Sequence, residues 1–487
     1  MKQTRRSPLP CIKDQSTMLH ALCLVTLAIT CYGSDWTGGI GNWSSDGSPG
    51  WNGTGIPNGL GTTANFPSST TGTTTQEVVG IIVGTISLTN ISNNSRTVTL
   101  TNGITLNQDG VGAGTATISN TNSFSGTTNA LIFSGGTLTL ADDLLITNTG
   151  NSTSTSGAIQ FSSSASILAG TGNITISNSL NDTSAATGAI RFSNGANTFS
   201  GNVNIKKGLV SFNNSGSFGG VAGNTITLGE AGQGSASLLA TAGGLNIANN
   251  WAAASGSGGT LLLGSTSIAA STVTYSGTGL LNGDLSLTSA NPVTGNGAVI
   301  LSGNISGGGG IDKVGVGNGR LSGTNSYTGN TTVNSGVLQL GSAGAIAASP
   351  VVLNGGTLTS SFVGTIQTTG SLSLNAGTSV LDFGSGVGNT VLEFGNSSGA
   401  SWAGSLRVDN WQGSVLGGVG DQFKFTAGGL DSPRIAQVTF KDPSGFVAGI
   451  YGATLVNGNE LVPVPEPAAL LTSIVLAGTA LFRRRRA

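Results

Sequence analysis

Short stretches in which polar and apolar residues alternate recur through the middle of the chain. Residues 97–100 (TVTL), 137–140 (TLTL) and 285–288 (LSLT) place an apolar side chain at every second position. This period of two predicts short β-strands with one buried face. Gly-Gly, Asn-Gly and Ser-Gly pairs between them predict turns. Almost no helical periodicity precedes Ala468, so we expect an all-β body.

Two internal repeats indicate how these strands are arranged. Residues 197–212 align without a gap with residues 325–340, and residues 156–161 align with residues 187–192. Strands this short bury little surface alone, but stacked coils share one continuous core. We therefore predict a β-solenoid over residues 71–400, with asparagine and threonine ladders at its corners. A pair of β-sandwich modules is the alternative architecture.

One copy of the first repeat has the sequence of a known type of module. Residues 322–340 (SGTNSYTGNTTVNSGVLQL) resemble the autotransporter-associated β-strand repeat, with the motif residues Asn325, Tyr327, Gly329 and Gly336. The fold that this resemblance implies is a parallel β-helix. The expected fold class is therefore all-β, a right-handed parallel β-helix or β-solenoid.

Composition excludes several classes of active site. The only histidine is His20, and the cysteines are Cys11, Cys23 and Cys31, all within a segment that we expect to be removed. The remaining body has neither residue type, which excludes Ser-His and Cys-His nucleophilic sites, Cys/His zinc sites and disulfides. We predict no cofactor and no metal.

The charge distribution argues against nucleic-acid binding. Charged residues make up 8% of the chain, and eight of the 18 basic residues lie in its two end segments. The body is net acidic, and its only basic pair is Lys206-Lys207. Nucleic-acid binding requires clustered lysine and arginine to replace counterions, so we predict no nucleic-acid partner.

Residues 1–33 have the pattern of a secretory signal peptide. Lys2 to Lys13 form a basic region, an apolar stretch runs from about Leu19 to Ile29, and small residues precede a cleavage point after Gly33. The polar leader is long, which leaves Met18 as an alternative start. Residues 34–70, which contain three tryptophans, are predicted to form an N-terminal cap. Carbohydrate stacking is the alternative role for these tryptophans.

Residues 462–487 differ from everything before them. An apolar run from Ala468 to Phe482 would span roughly 22 Å as a helix, short but usable for a transmembrane segment. The run lies between a Pro-Glu-Pro sequence and an arginine cluster. The residues of these two motifs are Pro465, Glu466, Pro467, Arg483, Arg484, Arg485 and Arg486. In this order they resemble the PEP-CTERM sorting signal of Gram-negative envelope proteins.

That resemblance implies an exosortase-type sorting enzyme as a partner and a single C-terminal transmembrane helix that anchors the protein at least transiently. Residues 401–461, rich in aromatic and aliphatic side chains, are predicted to form a C-terminal β cap ahead of this anchor. The expected location is the cell envelope, the outer surface or the extracellular matrix.

Three motifs suggest chemistry that the rest of the sequence does not support. Residues 395–399 (GNSSG) fit a hydrolase elbow but have no histidine base. Residues 307–315 fit one calcium-binding nonapeptide, but there is a single copy and it contains Lys313. Asp142-Asp143 suggests the carboxylate pair of a glycosidase, yet adjacent strand residues point to opposite faces.

The sequence thus predicts a non-catalytic structural or adhesive protein at the cell surface, with envelope or extracellular polysaccharide as its partner. A carbohydrate-active β-helix enzyme, a lyase or glycosidase that uses carboxylates alone, is the alternative from another class. A polysaccharide-binding protein lies between the two. Convergence of several acidic side chains in one groove would favour the enzyme.

Overall fold

The fold was analysed in a computed structural model. It describes residues 33–465 except 38–39, 45–49, 53–54, 68–71, 90–94, 122–129, 151–157, 163–166, 180–187, 220–222, 269–270, 291–298, 347, 369, 376, 385–387 and 427. The predicted signal peptide, except Gly33, and the predicted tail beyond Pro465 lie outside these residues. The fold is 47% strand and 1% helix, so the expectation of an all-β body is confirmed.

Most strands belong to parallel ladders that the chain visits in turn, and we call these ladders faces 1, 2 and 3. Face 1 contains Ser34–Asp35, Thr63–Phe66, Thr85–Leu88, Thr115–Asn120, Asp143–Asn148, Ile174–Asn178, the first half of Val203–Phe212, Thr225–Leu228, Asn250–Ala253, Gly279–Leu281 and Ile305–Gly307. In the last coils its place in the winding order is taken by Thr365–Gln367, Val391–Phe394 and Gln422–Phe425.

Face 2 lies next along each coil. Its strands are Gly41–Asn42, Gly72–Gln76, Arg96–Leu100, Leu131–Gly135, Ile159–Phe161, Ile190–Phe192, the second half of Val203–Phe212, Ala236–Ala240, Leu261–Ser265, Leu285–Ser289, Ile311–Val314, Thr331–Val333, Val351–Leu353 and Leu372–Leu374.

Face 3 completes each coil. It begins with Ile82–Val83, Ile104–Leu106, Leu138–Leu140 and Leu168–Gly170, and continues as Leu245–Ile247, Val273–Tyr275, Val299–Leu301, Asn318–Leu321, Val337–Leu340, Thr357–Ser360, Thr378–Asp382, Ser405–Asp409 and Val438–Lys441.

This winding order is that of a β-solenoid, in which each strand pairs in parallel with the equivalent strand of the next coil. The coils differ in length because the corners differ. On face 2, Val98 is paired with Phe133, 35 residues on, whereas Lys313 is paired with Val333, 20 residues on. The parallel pairing also extends beyond residues 71–400, from Ser34 to Lys441.

One hydrophobic core runs the length of the stack. Most of the buried aliphatic and aromatic side chains among the described residues form one cluster from Trp36 to Val462, and a smaller second cluster contains Ala189, Leu209, Leu239 and Leu262. On face 2, Phe133, Phe161 and Phe192 occupy one register position, with ring centroids 5.5 and 5.0 Å apart and nearly parallel planes. Offset aromatic stacking adds to the stabilisation from burial, so this column ties successive coils together.

Asparagines form a second column inside the stack. Asn120, Asn148 and Asn178 lie in register at the ends of face-1 strands and are fully buried. The Asn148 Nδ2 donates to Asn178 Oδ1 (2.8 Å), and Asn120 Nδ2 donates to the carbonyl of Ala158 (3.0 Å). A buried amide needs such partners, and in this column the Asn148–Asn178 bond links two coils as an asparagine ladder would, whereas Asn120 bonds to the backbone.

The two ends of the stack are covered differently. At the start, Trp36, Trp43 and Trp51 are buried; Trp36 and Trp43 each pack edge-on against Trp51, and Trp43 and Trp51 also pack against Phe66. No face of these rings is open to stack on a sugar. At the far end, strands Ile450–Val456 and Glu460–Pro463 form an antiparallel hairpin that pairs with faces 1 and 3. The helix Ser432–Ile435 precedes the last face-3 strand, Val438–Lys441.

No helix among the described residues is long and apolar enough to cross a membrane. The predicted transmembrane helix, Ala468 to Phe482, falls outside those residues, and so do Glu466, Pro467 and Arg483 to Arg486. Pro465 is described and follows strand Glu460–Pro463 by two residues.

Candidate functional site

The repeat motif is built around an asparagine that joins three coils. Asn325 is buried, and its Oδ1 accepts the backbone N–H of Ile305 in the preceding coil (2.9 Å). Its Nδ2 donates to the carbonyl of Ala345 in the following coil (2.8 Å). Both ends of the amide are therefore used on backbone groups that the winding of the chain would leave without partners.

The other copy of the repeat makes the same connections. The Asn197 Oδ1 accepts the backbone N–H of Leu168 (2.9 Å), and its Nδ2 donates to the carbonyl of Ser217 (2.7 Å). The copies nevertheless lie on different faces. The Thr198 N–H donates to the carbonyl of Leu168 in a face-3 strand, whereas the Ser326 N–H donates to the carbonyl of Ile305 in a face-1 strand. The motif thus encodes a local strand-turn-strand unit and does not fix the face it occupies.

Tyr327 follows Asn325 by two residues, and its ring lies in the core. It is buried, and its hydroxyl is 2.6 Å from Thr331 Oγ1, which is itself 2.6 Å from Ser349 Oγ. Burial raises the pKa of Tyr327 to about 12, so the phenol is neutral and unsuited to act as a base. Phe199 occupies the equivalent buried position in the other copy.

The two motif glycines are required by the backbone. A Cβ on Gly329 would lie 2.3 Å from the carbonyl carbon of Gly309, closer than real contacts allow. Gly336 has φ +65°, a conformation that favours glycine. Together with Asn325 and Tyr327, these residues hold coils in contact and present no reactive group.

In the motifs that suggested chemistry, Ser397, Asp142 and Asp143 form hydrogen bonds to backbone groups of the fold. The Ser397 hydroxyl is buried, donates to the carbonyl of Gly395 (3.0 Å) and accepts the N–H of Leu372 (2.8 Å). Asp142 is buried and accepts the N–H of Gln108 in the coil before it. Asp143 is exposed and accepts the N–H of Asn173 in the coil after it. The two carboxylates therefore point to opposite sides of the chain, as expected.

Lys313 lies inside the nonapeptide pattern, directly after Asp312, which stands at the acidic position of that pattern. The Lys313 side chain is buried, and its Nζ donates to the carbonyls of Val314 (2.7 Å), Gly315 (2.9 Å) and Ser335 (3.3 Å). Burial lowers the pKa of Lys313 to about 8. An amino group thus fills the carbonyl cage, and within the described ranges no three His, Cys, Asp or Glu side chains gather at one point.

The most regular exposed feature is a row of side-chain carbonyls and carboxylates at the start of the face-1 strands, which we call the exposed amide row. Each Oδ1 accepts the backbone N–H of the equivalent residue one coil on. The pairs are Asp143 to Asn173 (2.8 Å), Asn173 to Asn202 (2.9 Å), Asn202 to Thr225 (2.9 Å), Asn250 to Thr278 (3.0 Å) and Asn304 to Thr324 (2.9 Å).

Sequence reasoning missed this row because the paired residues are 20 to 30 positions apart in varied contexts. The available signal was an asparagine, aspartate or threonine directly before an alternating strand, as in Asn173 before Ile174–Asn178. Outward-facing threonine and serine side chains such as Thr117, Thr175 and Thr227 lie beside the row on face 1. The result is a periodic polar surface.

Comparison of the chain with models of protein families, with curated proteins and with solved structures gave no match.

Proposed function

We propose that this protein is a non-catalytic, exported structural or adhesive component of the cell envelope, sorted by a PEP-CTERM signal and displayed at the outer surface or in the extracellular matrix. The observation that carries the proposal is a combination of two features. The body is a long stack of parallel coils, and it is followed by a tail of Pro465, Glu466 and Pro467, an apolar run and Arg483 to Arg486.

The tail gives the proposed route and anchor. Four arginines directly after an apolar run favour retention of that end in the cytoplasm, which leaves the body outside. The run is short, but arginine side chains reach the interface by extending their charged ends. An exosortase-type enzyme is the proposed partner that recognises this segment. Until the enzyme does so, the apolar run anchors the protein in the membrane.

The body supports a mechanical or adhesive role. Its strands are joined along the axis by backbone ladders, by the Phe133–Phe161–Phe192 column and by asparagines that bridge coils. Such nearest-neighbour stacking suits an extended shaft. Right-handed winding is part of the proposal, because parallel crossovers are right-handed in almost all known cases.

Polysaccharide is the proposed adhesive partner, and the exposed amide row is the feature that favours it. The row offers amide and carboxylate groups at one corner of successive coils, beside face-1 hydroxyls. An extended polymer with many hydroxyls fits a repeating polar surface better than a small substrate does. The carbohydrate-active enzyme remains the alternative, and a retaining or inverting glycosidase would need two carboxyl groups across one bond.

Membrane fractionation tests the sorting proposal. The full chain and a variant with Arg483, Arg484, Arg485 and Arg486 replaced by serine are expressed in a Gram-negative host that has an exosortase-type enzyme. We expect the wild type to reach the surface fraction and the variant to be lost from it. Replacing Lys206 and Lys207 by glutamine, on the face-1 side of the body, is the charge-removing control. Equal surface display of all three proteins would refute the proposed signal.

A binding screen tests the adhesive proposal separately. The wild-type protein is incubated with envelope polysaccharides from the same host, and a variant with Asn173 and Asn202 changed to leucine is compared. We expect retention of the wild type and at least several-fold weaker retention of the variant. Release of shortened or unsaturated sugars would instead favour the enzyme.

A further inference from the structure

Three exposed aliphatic side chains lie where the chain leaves its last strand. Val447 is 81% exposed, Ile450 57% and Val464 42%. The Val464 N–H donates to the carbonyl of Gly452 (2.9 Å), which places Val464 beside the start of the strand Ile450–Val456. The Tyr451 hydroxyl donates to the carbonyl of Val447 (2.7 Å) and fixes the preceding loop at the same end. We call Val447, Ile450 and Val464 the exit patch.

The ring of Tyr451 packs against the core, on the face of strand Ile450–Val456 opposite to Ile450. Phe446 and Tyr451 pack edge to face, with ring centroids 4.9 Å apart, and both are half-buried. Single exposed aliphatic residues are ordinary on protein surfaces. The three residues of the exit patch together leave more apolar surface in water than a single exposed residue does, and grouped apolar surface marks sites of interaction with proteins or membranes.

The covalent connection limits how far the exit patch can be from the apolar run. Only Pro465, Glu466 and Pro467 separate Val464 from Ala468. A fully extended chain spans at most about 3.5 Å per residue, so the Val464 and Ala468 Cα atoms are within about 14 Å. The headgroup region of one leaflet is itself roughly 5–8 Å thick. A run that enters the bilayer at Ala468 therefore keeps the Val464 Cα within about 14 Å of the hydrocarbon boundary, which is near enough for the exit patch to reach the headgroup region.

We propose that the exit patch rests on a lipid bilayer, with Val447, Ile450 and Val464 in its headgroup region. The occupant is the lipid surface itself, and the proposal rests on the proposed function because it requires residues 468–482 to enter the membrane. The closing end of the solenoid then makes a second, non-covalent contact with the membrane. This contact would set the orientation of the stack, which a flexible tether alone would leave free.

Depth-dependent fluorescence quenching tests the contact in the full chain. Cys11, Cys23 and Cys31 are changed to serine, and a single cysteine is introduced in place of Val447, Val111 or Thr472. Each is labelled with an environment-sensitive fluorophore. Val111 is 79% exposed, as open as Val447, but lies in an early coil between strands Ile104–Leu106 and Thr115–Asn120. It is therefore the matched control for non-specific approach to lipid.

The labelled proteins are reconstituted into phosphatidylethanolamine–phosphatidylglycerol vesicles that contain lipids spin-labelled near the headgroup. We expect quenching at positions 447 and 472, and at least fivefold less at position 111. Quenching at 472 with equal values at 447 and 111 would overturn the contact while leaving the anchor in place. Absence of quenching at 472 would refute the anchor, and the exit-patch proposal would fail with it.

Discussion

The asparagine of the repeat motif gives the sharpest prediction about stability. Changing Asn325 to alanine removes the acceptor for the Ile305 N–H and the donor to the Ala345 carbonyl. Ile305 and Ala345 are both buried. Each buried polar group left without a partner costs about 1–3 kcal/mol. The variant should therefore lose at least about 2 kcal/mol of local stability, more than most surface substitutions cost.

Hydrogen exchange is the appropriate assay, because local opening is measured coil by coil and a stack of repeats need not unfold in one step. A loss of about 2 kcal/mol corresponds to roughly 30-fold faster exchange of the amides in Ile305–Gly307, since 1.4 kcal/mol is a factor of ten. Asn330→Ala is the control, because Asn330 belongs to the same motif but is exposed. Equal protection of Ile305–Gly307 in the two variants would refute the bridging role of Asn325.

Three further predictions concern the core and the turns. The pKa of Lys313 is lower in the folded state, about 8 against 10.5, so the unfolded state binds the proton more tightly. Stability should rise by about 3 kcal/mol between pH 8 and pH 10.5 in urea titrations, and Lys313→Met should remove that slope. Phe161→Ala should cost about 3–5 kcal/mol and lower the urea midpoint, because Phe161 is the middle ring of its column; an unchanged midpoint would contradict this. Gly329→Ala should lower the melting temperature by several degrees, whereas Gly399→Ala, with open space at its Cβ, should leave it unchanged.

The local sequence correctly predicted strand register and inward-facing positions where one coil repeats the sequence of the previous coil. The repeat of residues 156–161 at residues 187–192 places Ile159 opposite Ile190 and Phe161 opposite Phe192, in exact register. Alternation at period two fixed which side chains face inward, as in strand Arg96–Leu100. These features could be predicted because a strand and its turn depend on neighbouring residues in the chain.

Other features depend on the total number of residues in each coil, because that number decides which residues of neighbouring coils come into contact. A local sequence pattern does not carry this information. The repeat copies at Asn197 and Asn325 lie on different faces because the corners between them vary in length. The polar cage around Lys313 combines carbonyls from its own turn and from Ser335 in the next coil. The division of Asp142 from Asp143 was predictable, but their partners in two other coils were not.

Distances along face 1 test the central claim, that the chain is a stack of parallel coils. Thr117, Leu145, Thr175, Asn204 and Thr227 are successive register partners, and the series continues through Ala252 and Leu280 to Ser306. At about 4.8 Å per coil, Thr117 and Thr227 should be about 19 Å apart, and Thr117 and Ser306 about 34 Å apart.

Pulsed electron spin resonance between nitroxides attached at these pairs, in a chain with Cys11, Cys23 and Cys31 changed to serine, measures both separations. The stacked arrangement predicts two narrow distributions whose mean distances differ by about 14 Å, the rise of three coils at about 4.8 Å each. Distances that fail to increase with coil number, or broad distributions for both pairs, would contradict it.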